Sequence, residues 1–189
     1  LVISNEVSHQ MYGVKDLNSI KGINLFDNPN LSEEVIEKIK LGENIHIELE
    51  FDFGGVSSNH YYETSKNGKM LVEISITPLK INNIIDGYII HSEDITEERR
   101  RQNEIEYVSN HDYLTDLFNR RYIVNAFDAY VKIGLSSIGL MMIDINGLKL
   151  INDAYGHVIG DETIKAVSNI LMQVFDKEEI VARIGGDEF

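Results

Sequence analysis

Residues 140–149 run Leu140-Met141-Met142-Ile143-Asp144-Ile145-Asn146-Gly147-Leu148-Lys149, an apolar stretch that ends in a carboxylate, a short turn and a new apolar start. An unbroken apolar run suits a strand buried on both faces, and 138–143 is predicted as one, with a helix after the turn. Ligands of α/β sheets gather where buried strands end, beside the N-terminus of the next helix. Asp144 stands at that place. Taken alone, it reads equally well as a turn former at a strand end.

Downstream, Ile180-Val181-Ala182 is predicted as a short strand leading into Ile184-Gly185-Gly186-Asp187-Glu188-Phe189. Two glycines permit a tight turn and a close backbone approach, and two acids follow directly. A hairpin lying beside the Asp144 strand would let Asp144 and Asp187 share a hard cation. Mg2+ takes oxygen ligands, usually one or two carboxylates plus phosphate oxygens. An acidic surface hairpin explains the pentapeptide alone just as well.

Between these elements lies Asn152-Asp153-Ala154-Tyr155-Gly156-His157-Val158-Ile159-Gly160-Asp161. Asn152 offers a donor and an acceptor, whereas Asp161 accepts only. Together they could tell a guanine edge from an adenine edge. Asp161 also reads as the N-cap of the helix predicted after Gly160, in which Ile164, Val167, Leu171 and Val174 recur at helical spacing. A helix over 122–130 precedes the apolar strand.

Residues 1–94 read as a compact α+β unit. Residues 1–3 suggest the tail of a strand, short helices are predicted near 5–12 and 15–21, and a helix capped by Ser32 runs to about Leu41. His46 to Phe53 alternates polar and apolar residues, as a half-buried strand does. Strands are also predicted over 61–64, 70–77 and 84–91. Asn67-Gly68 suits a type I′ hairpin turn and Asn82-Asn83 a second turn. A charged helix then begins near Asp94, with Asp94 and Glu97 as a capping box. Ile95, Gln102, Ile105 and Val108 give it a thin stripe, narrow enough for a two-helix seam or a passive linker.

The 189 residues are 43% hydrophobic and 25% charged, ordinary for a globular chain. A net charge of −14 disfavours a phosphate-backbone grip on nucleic acid and an anionic membrane surface. A nucleotide remains allowed, because a bound metal neutralises its phosphates locally. The chain has no cysteine, which rules out disulfides and thiolate metal sites and fits a cytoplasmic location. No apolar run is long enough to span a membrane. Both ends look cut, so a membrane anchor elsewhere in a longer protein stays open.

Four blocks in register carry a family resemblance: His111-Asp112-Tyr113-Leu114-Thr115-Asp116-Leu117-Phe118-Asn119-Arg120-Arg121, the stretch 144–153, the stretch 156–161, and Gly185-Gly186-Asp187-Glu188-Phe189. With them, residues 111–189 resemble the first half of a GGDEF domain, of the bacterial signal-transduction family of diguanylate cyclases. The resemblance implies a Mg2+-dependent (alternatively Mn2+-dependent) nucleotidyltransferase that condenses two GTP into cyclic di-GMP and releases pyrophosphate. It implies that Asp144, the Ile145 carbonyl and Asp187 hold the metal, and that Asn152 and Asp161 read guanine with His157 nearby. Lys149 and the backbone at Leu148 would approach the phosphates. Asp187 or Glu188 would help deprotonate the attacking 3′-hydroxyl, with Gly185 and Gly186 making the turn. Asn146 and Leu148 depart from the common pattern without removing a ligand. Asp161, where a mixed-product subgroup carries Ser, points to the di-GMP product. The family's inhibitory product site, Arg-x-x-Asp, is matched by Asp176-Lys177-Glu178-Glu179 and lacks its arginine, so that site is expected to be absent.

Residues 1–94 resemble a PAS sensor domain with its first strand missing, on the order of elements and on Gly87 to Thr96. The ligand of such a sensor is unknown, and His46, His60 and His91 read as strand or surface histidines. The expected organisation is thus a PAS-like antiparallel sheet with short helices, a linker helix over 95–110, and a truncated, nucleotidyl-cyclase-like α/β domain. Its partners would be GTP and a second copy of the chain, since two GTP must face each other. Cut after Phe189, this polypeptide is expected to make no product. The alternative is a degenerate module that binds GTP and regulates without catalysis.

Overall fold

A computed structural model describes residues 4–16, 18–134, 137–176 and 178–189. The strand expected over 1–3 lies outside them, as do Leu17 and Lys177. The chain is mixed α/β and divides into two compact units, Leu1–Arg101 and Gln102–Phe189.

In the N-terminal unit, α1 (Glu6–Tyr12) starts at Asn5, whose side chain accepts the Ser8 amide, and stops at Gly13 with φ 63°. Among the described residues of the stretch near 15–21, expected as a helix, turns take its place. Asp16 accepts the Asn18 amide on its side chain and the Ser19 hydroxyl on its carbonyl, and such local bonds compete with helix formation. A 3-10 turn, Leu25–Asp27, follows. Helix α2 (Glu33–Lys40) is capped by Ser32 through the Val35 amide and buries Ile39 completely.

Strands β1 (Ile45–Asp52), β2 (Lys69–Ile81) and β3 (Ile84–Asp94) form an antiparallel sheet in the order β1-β2-β3. The sheet expected of a sensor domain therefore amounts to three strands among the described residues. Helix α3 (Phe53–Ser58), which the sequence pattern does not announce, intervenes between β1 and β2, with Asp52 as its cap. Residues 61–64 form no strand. Thr64 makes one isolated bridge to Val14 and its hydroxyl donates to the Tyr12 carbonyl.

The type I′ signature also sits elsewhere than expected. Both central residues of such a turn need positive φ, and the pair that has it is Asn82 (49°) and Asn83 (67°), between the cross-strand partners Ile81 and Ile84. The Lys66 amide bonds the Thr64 hydroxyl, so Asn67-Gly68 closes no two-residue hairpin. The core gathers Ile39, Val56, Val72 and Ile76 between the sheet and the helices. At the end of β3, Asp94 accepts the Thr96 amide rather than engaging Glu97, and Thr96 accepts the Leu71 amide. There α4 (Thr96–Asn110) begins, and Arg99 grips both oxygens of Glu48 at 2.6 Å.

In the C-terminal unit, β4 (Phe118–Asn119) leads into α5 (Arg120–Lys132), capped by Asn119. Helices α6 (Leu148–Tyr155) and α7 (His157–Val174) pack against each other, and β5 (Ala182–Arg183) pairs in parallel with β4. Leu117, Leu148, Ile164, Leu171 and Phe189 form the core. Residues 138–143, expected as a buried strand, make no ladder. Among the described residues their backbone pairing is confined to Ile143, and Leu140, Met141 and Met142 stand more than half exposed. A strand without neighbours on both sides cannot bury a run of that kind. Asp161 is not a cap either. Helix α7 starts four residues earlier, directly after Gly156, whose φ of 85° allows α6 to stop and α7 to begin without a linker.

Candidate functional site

The end of the apolar run meets the double-glycine turn. Ile143 and Phe189 exchange both backbone hydrogen bonds, at 2.8 and 2.7 Å, and the Ile145 amide donates to the Asp187 carbonyl at 3.1 Å. Asp144 therefore faces Glu188 as the intervening pair, the position at which opposed side chains come closest in an antiparallel ladder. The turn closes with the Glu188 amide on the Gly185 carbonyl at 2.9 Å. Gly186, at the first central position, has φ 54°, whereas Asp187 has none of the positive φ that a type I′ turn would demand. That is the type II′ requirement, met by glycine at low cost. Residues 42 and 44 positions apart thus come together: Asp144, Ile145, Asp187 and Glu188 share one short stretch of backbone pairing.

This donor set is all oxygen. Among the described residues no group of three or more His, Cys, Asp or Glu side chains is placed to cage a metal. Two carboxylates and a carbonyl nevertheless match the way Mg2+ binds, with few protein ligands and the remainder from phosphates and water. The Ile145 carbonyl accepts the Leu148 amide at 3.4 Å and keeps a second lone pair free for an ion.

Arg183 holds the turn from behind, a role that the sequence reading missed. Its Nε and Nη2 donate to the Gly186 carbonyl at 3.1 and 2.8 Å, while Nη1 donates to Asp112 Oδ1 at 2.9 Å. The arginine is 9% exposed. Asp112 Oδ1 also accepts the Leu114 and Thr115 amides and the Thr115 hydroxyl. Burial pushes the Asp112 carboxyl up, but the bonds from Arg183 and Thr115 outweigh it and leave the group below the usual aspartate value. The signal available in sequence was a lone arginine between an apolar strand and a double glycine. The segment after α4 is tied down alongside. Tyr107 donates to Asp116 and stacks on His111 at 4.1 Å, and Asn119 donates to the carbonyls of Ser109 and His111.

The residues expected to read a base lie on a second pair of elements, α6 and α7. Asn152 on α6 lies against Gly160 on α7, so closely that a Cβ at Gly160 would collide with its Oδ1. That Oδ1 is buried and has no hydrogen-bond partner among the described residues. Asp161 follows Gly160 and is exposed, as is His157 at the start of α7. Lys149 is exposed in the first turn of α6, whereas the Leu148 side chain is buried in the core, so only its backbone is available to a ligand. Asp176 and Glu179 do not join these groups. The Asp176 amide bonds the Glu179 carboxylate, and the Glu179 amide bonds the Asp176 carbonyl, closing a separate turn after α7.

Residues 109–189 match the family described as "Diguanylate cyclase, GGDEF domain". A signalling protein of Bacillus subtilis, YkoW, is 30% identical over 128 residues, covering 66% of this chain and 16% of that protein. The cyclic di-GMP phosphodiesterase PdeR of Escherichia coli is 36% identical over 97 residues, 51% of this chain and 15% of that protein. The diguanylate cyclase DgcM of Escherichia coli is 36% identical over 104 residues, 53% of this chain and 25% of that protein. The chain thus spans a quarter or less of each of these relatives. Over residues 109–189, where the double-glycine turn pairs back onto Asp144, this chain carries a GGDEF domain.

Proposed function

We propose that the protein to which this chain belongs is a diguanylate cyclase, joining two GTP into cyclic di-GMP. The observation that supports the reading is the backbone pairing of 143–145 with 187–189, in which Asp144 stands opposite Glu188 and the Ile145 amide bonds the Asp187 carbonyl. A bound Mg2+ would supply neutralisation of the phosphate charge. Asp144, the Ile145 carbonyl and Asp187 would hold it. The Asn152 amide and the Asp161 carboxylate would bind the guanine edge, and Lys149 with the first-turn backbone of α6 would hold the phosphate tail. Glu188 or Asp187 accepts the proton of the 3′-hydroxyl as that oxygen bonds to the α-phosphorus of the facing GTP and pyrophosphate departs. The same step in the other direction closes the ring. Positioning and charge placement carry such in-line transfers.

Each domain holds one GTP, so two copies must face each other. Ile105 and Val108 of α4 are 64% and 71% exposed in the single chain, which supports a seam with a second α4. Residues 1–94 would act as a PAS-type sensor, the 95–110 helix as a linker that biases the dimer, and 111–189 as the catalytic part. Supplying the full-length protein with GTP and Mg2+ and identifying the nucleotide formed tests the reading. Cyclic di-GMP that disappears in Asp144→Asn and Asp187→Asn variants is the expected result. Bound GTP without product would overturn it in favour of a regulatory GTP-binding module. That second reading is kept because a relative named as a phosphodiesterase matches half of this chain.

A further inference from the structure

Of the non-glycine residues with positive φ among the described residues, Asp116, at 63°, is the one in the C-terminal unit. Such a conformation is uncommon outside glycine and persists where the surroundings over-determine it. Three contacts hold Asp116. Its amide donates to the Asp112 carbonyl at 2.9 Å, its carbonyl meets His111 Nδ1 at 2.8 Å, and its carboxylate accepts the Tyr107 hydroxyl. Tyr107 lies in the last turn of α4 and stacks on the His111 ring with planes 12° apart. The bond to Asp116 pushes the Tyr107 phenol above its ordinary value, which keeps it a donor across ordinary pH.

The turn fixed in this way, 112–116, reaches the acidic turn from its other end. Asp112 Oδ1 receives Arg183 Nη1, and the same guanidinium donates from Nε and Nη2 to the Gly186 carbonyl, directly before Asp187 and Glu188. An unbroken run of hydrogen bonds thus leads from the end of α4 through Tyr107, Asp116, Asp112 and Arg183 to the double-glycine turn. We propose that Tyr107 and Asp116 are positioning residues for the turn that carries Asp187 and Glu188, so that the end of α4 sets how firmly this turn is held against Asp144. Glycine at 116 would take the same φ without strain but would give up the bond to Tyr107, whereas aspartate tolerates the left-handed region and keeps it. The bearing on catalysis rests on the cyclase reading above, but the hold on the turn does not. A local cap on the end of α4 would leave the turn indifferent to both residues.

Amide hydrogen exchange on the 189-residue chain, read at Glu188 and Ile145, tests the hold, because these amides bond the Gly185 and Asp187 carbonyls. Tyr107→Phe keeps the ring and removes the hydroxyl, and is expected to speed both by about threefold or more, the effect of one lost hydrogen bond. Asp116→Gly is expected to speed them similarly without lowering the Tm, since it relieves the positive φ. Asp116→Asn keeps an acceptor and tolerance of that φ, and is expected to hold both rates near those of the unaltered chain. Unchanged exchange in Tyr107→Phe, or exchange that merely follows the Tm across the three variants, would overturn the proposal. In the full-length protein with GTP and Mg2+, Tyr107→Phe and Asp116→Gly are expected to lower kcat about threefold with KM for GTP unchanged. A rise in KM alone would overturn the positioning role in turnover. A protein that makes no cyclic di-GMP would sink the cyclase reading, and the exchange rates would still decide the hold on the turn.

Discussion

Arg183 satisfies two acceptors at once, and its loss would leave both without it. Replacing it by Met keeps much of the buried stem but removes the cation beside the Asp112 carboxylate and both side-chain donors to the Gly186 carbonyl. Breaking a buried pair from one side costs on the order of 3 kcal/mol, and urea unfolding of the C-terminal unit should show a loss of that order. Asp112 adds a pH dependence. Its folded pKa lies below the unfolded value, so its contribution is fully present above the ordinary aspartate range and is lost as pH falls through and below that range. Acid titration of stability should therefore be shallower in Asp112→Asn than in the unaltered chain. Gly160 supplies a third residue-scale prediction. Alanine there is favourable for helix α7 but would displace the Asn152 amide, so Gly160→Ala should lower guanine-nucleotide affinity tenfold or more without lowering thermal stability. Equilibrium binding of a fluorescent GTP analogue and a melting curve on the same sample check both halves.

Between elements, the decisive features are turns. Asn82 and Asn83 both occupy the left-handed region that the β2–β3 hairpin needs. Asn83→Ala should destabilise the N-terminal unit by about 1 kcal/mol, and Asn83→Gly should not, as denaturant midpoints would show. Much of this level is legible in sequence. Ser32 before an acidic first turn marks α2, alternation marks β1, and the stretch 122–130 marks the body of α5. Local rules failed where a longer-range contact decides. Asn67-Gly68 has the stronger hairpin signature, yet α3 and the pairing register place the hairpin at Asn82-Asn83. The run 138–143 has the composition of a central strand, but composition cannot provide neighbouring strands.

Across the whole molecule, two cores are distinct: one around Ile39, Val56, Val72 and Ile76, another around Leu117, Leu148, Ile164 and Leu171. Large-to-small substitution of an isoleucine in either costs about 2–5 kcal/mol. Ile39→Ala should lower the unfolding transition of the N-terminal unit alone, and Ile164→Ala that of the C-terminal unit alone, when the two are followed by residue-resolved hydrogen exchange. A single joint shift would show that the units unfold together. The acidic charge of −14, the absence of cysteine and the four motif blocks were readable from the chain alone, because composition and spacing are properties of the chain. So was the presence of carboxylates at Asp144, Asp187 and Glu188, beside the apolar run and the double glycine. Tertiary structure alone decided that Glu188 faces Asp144 and that Arg183 braces the turn through Asp112. Each of these depends on contacts between residues far apart in sequence, which no local preference encodes.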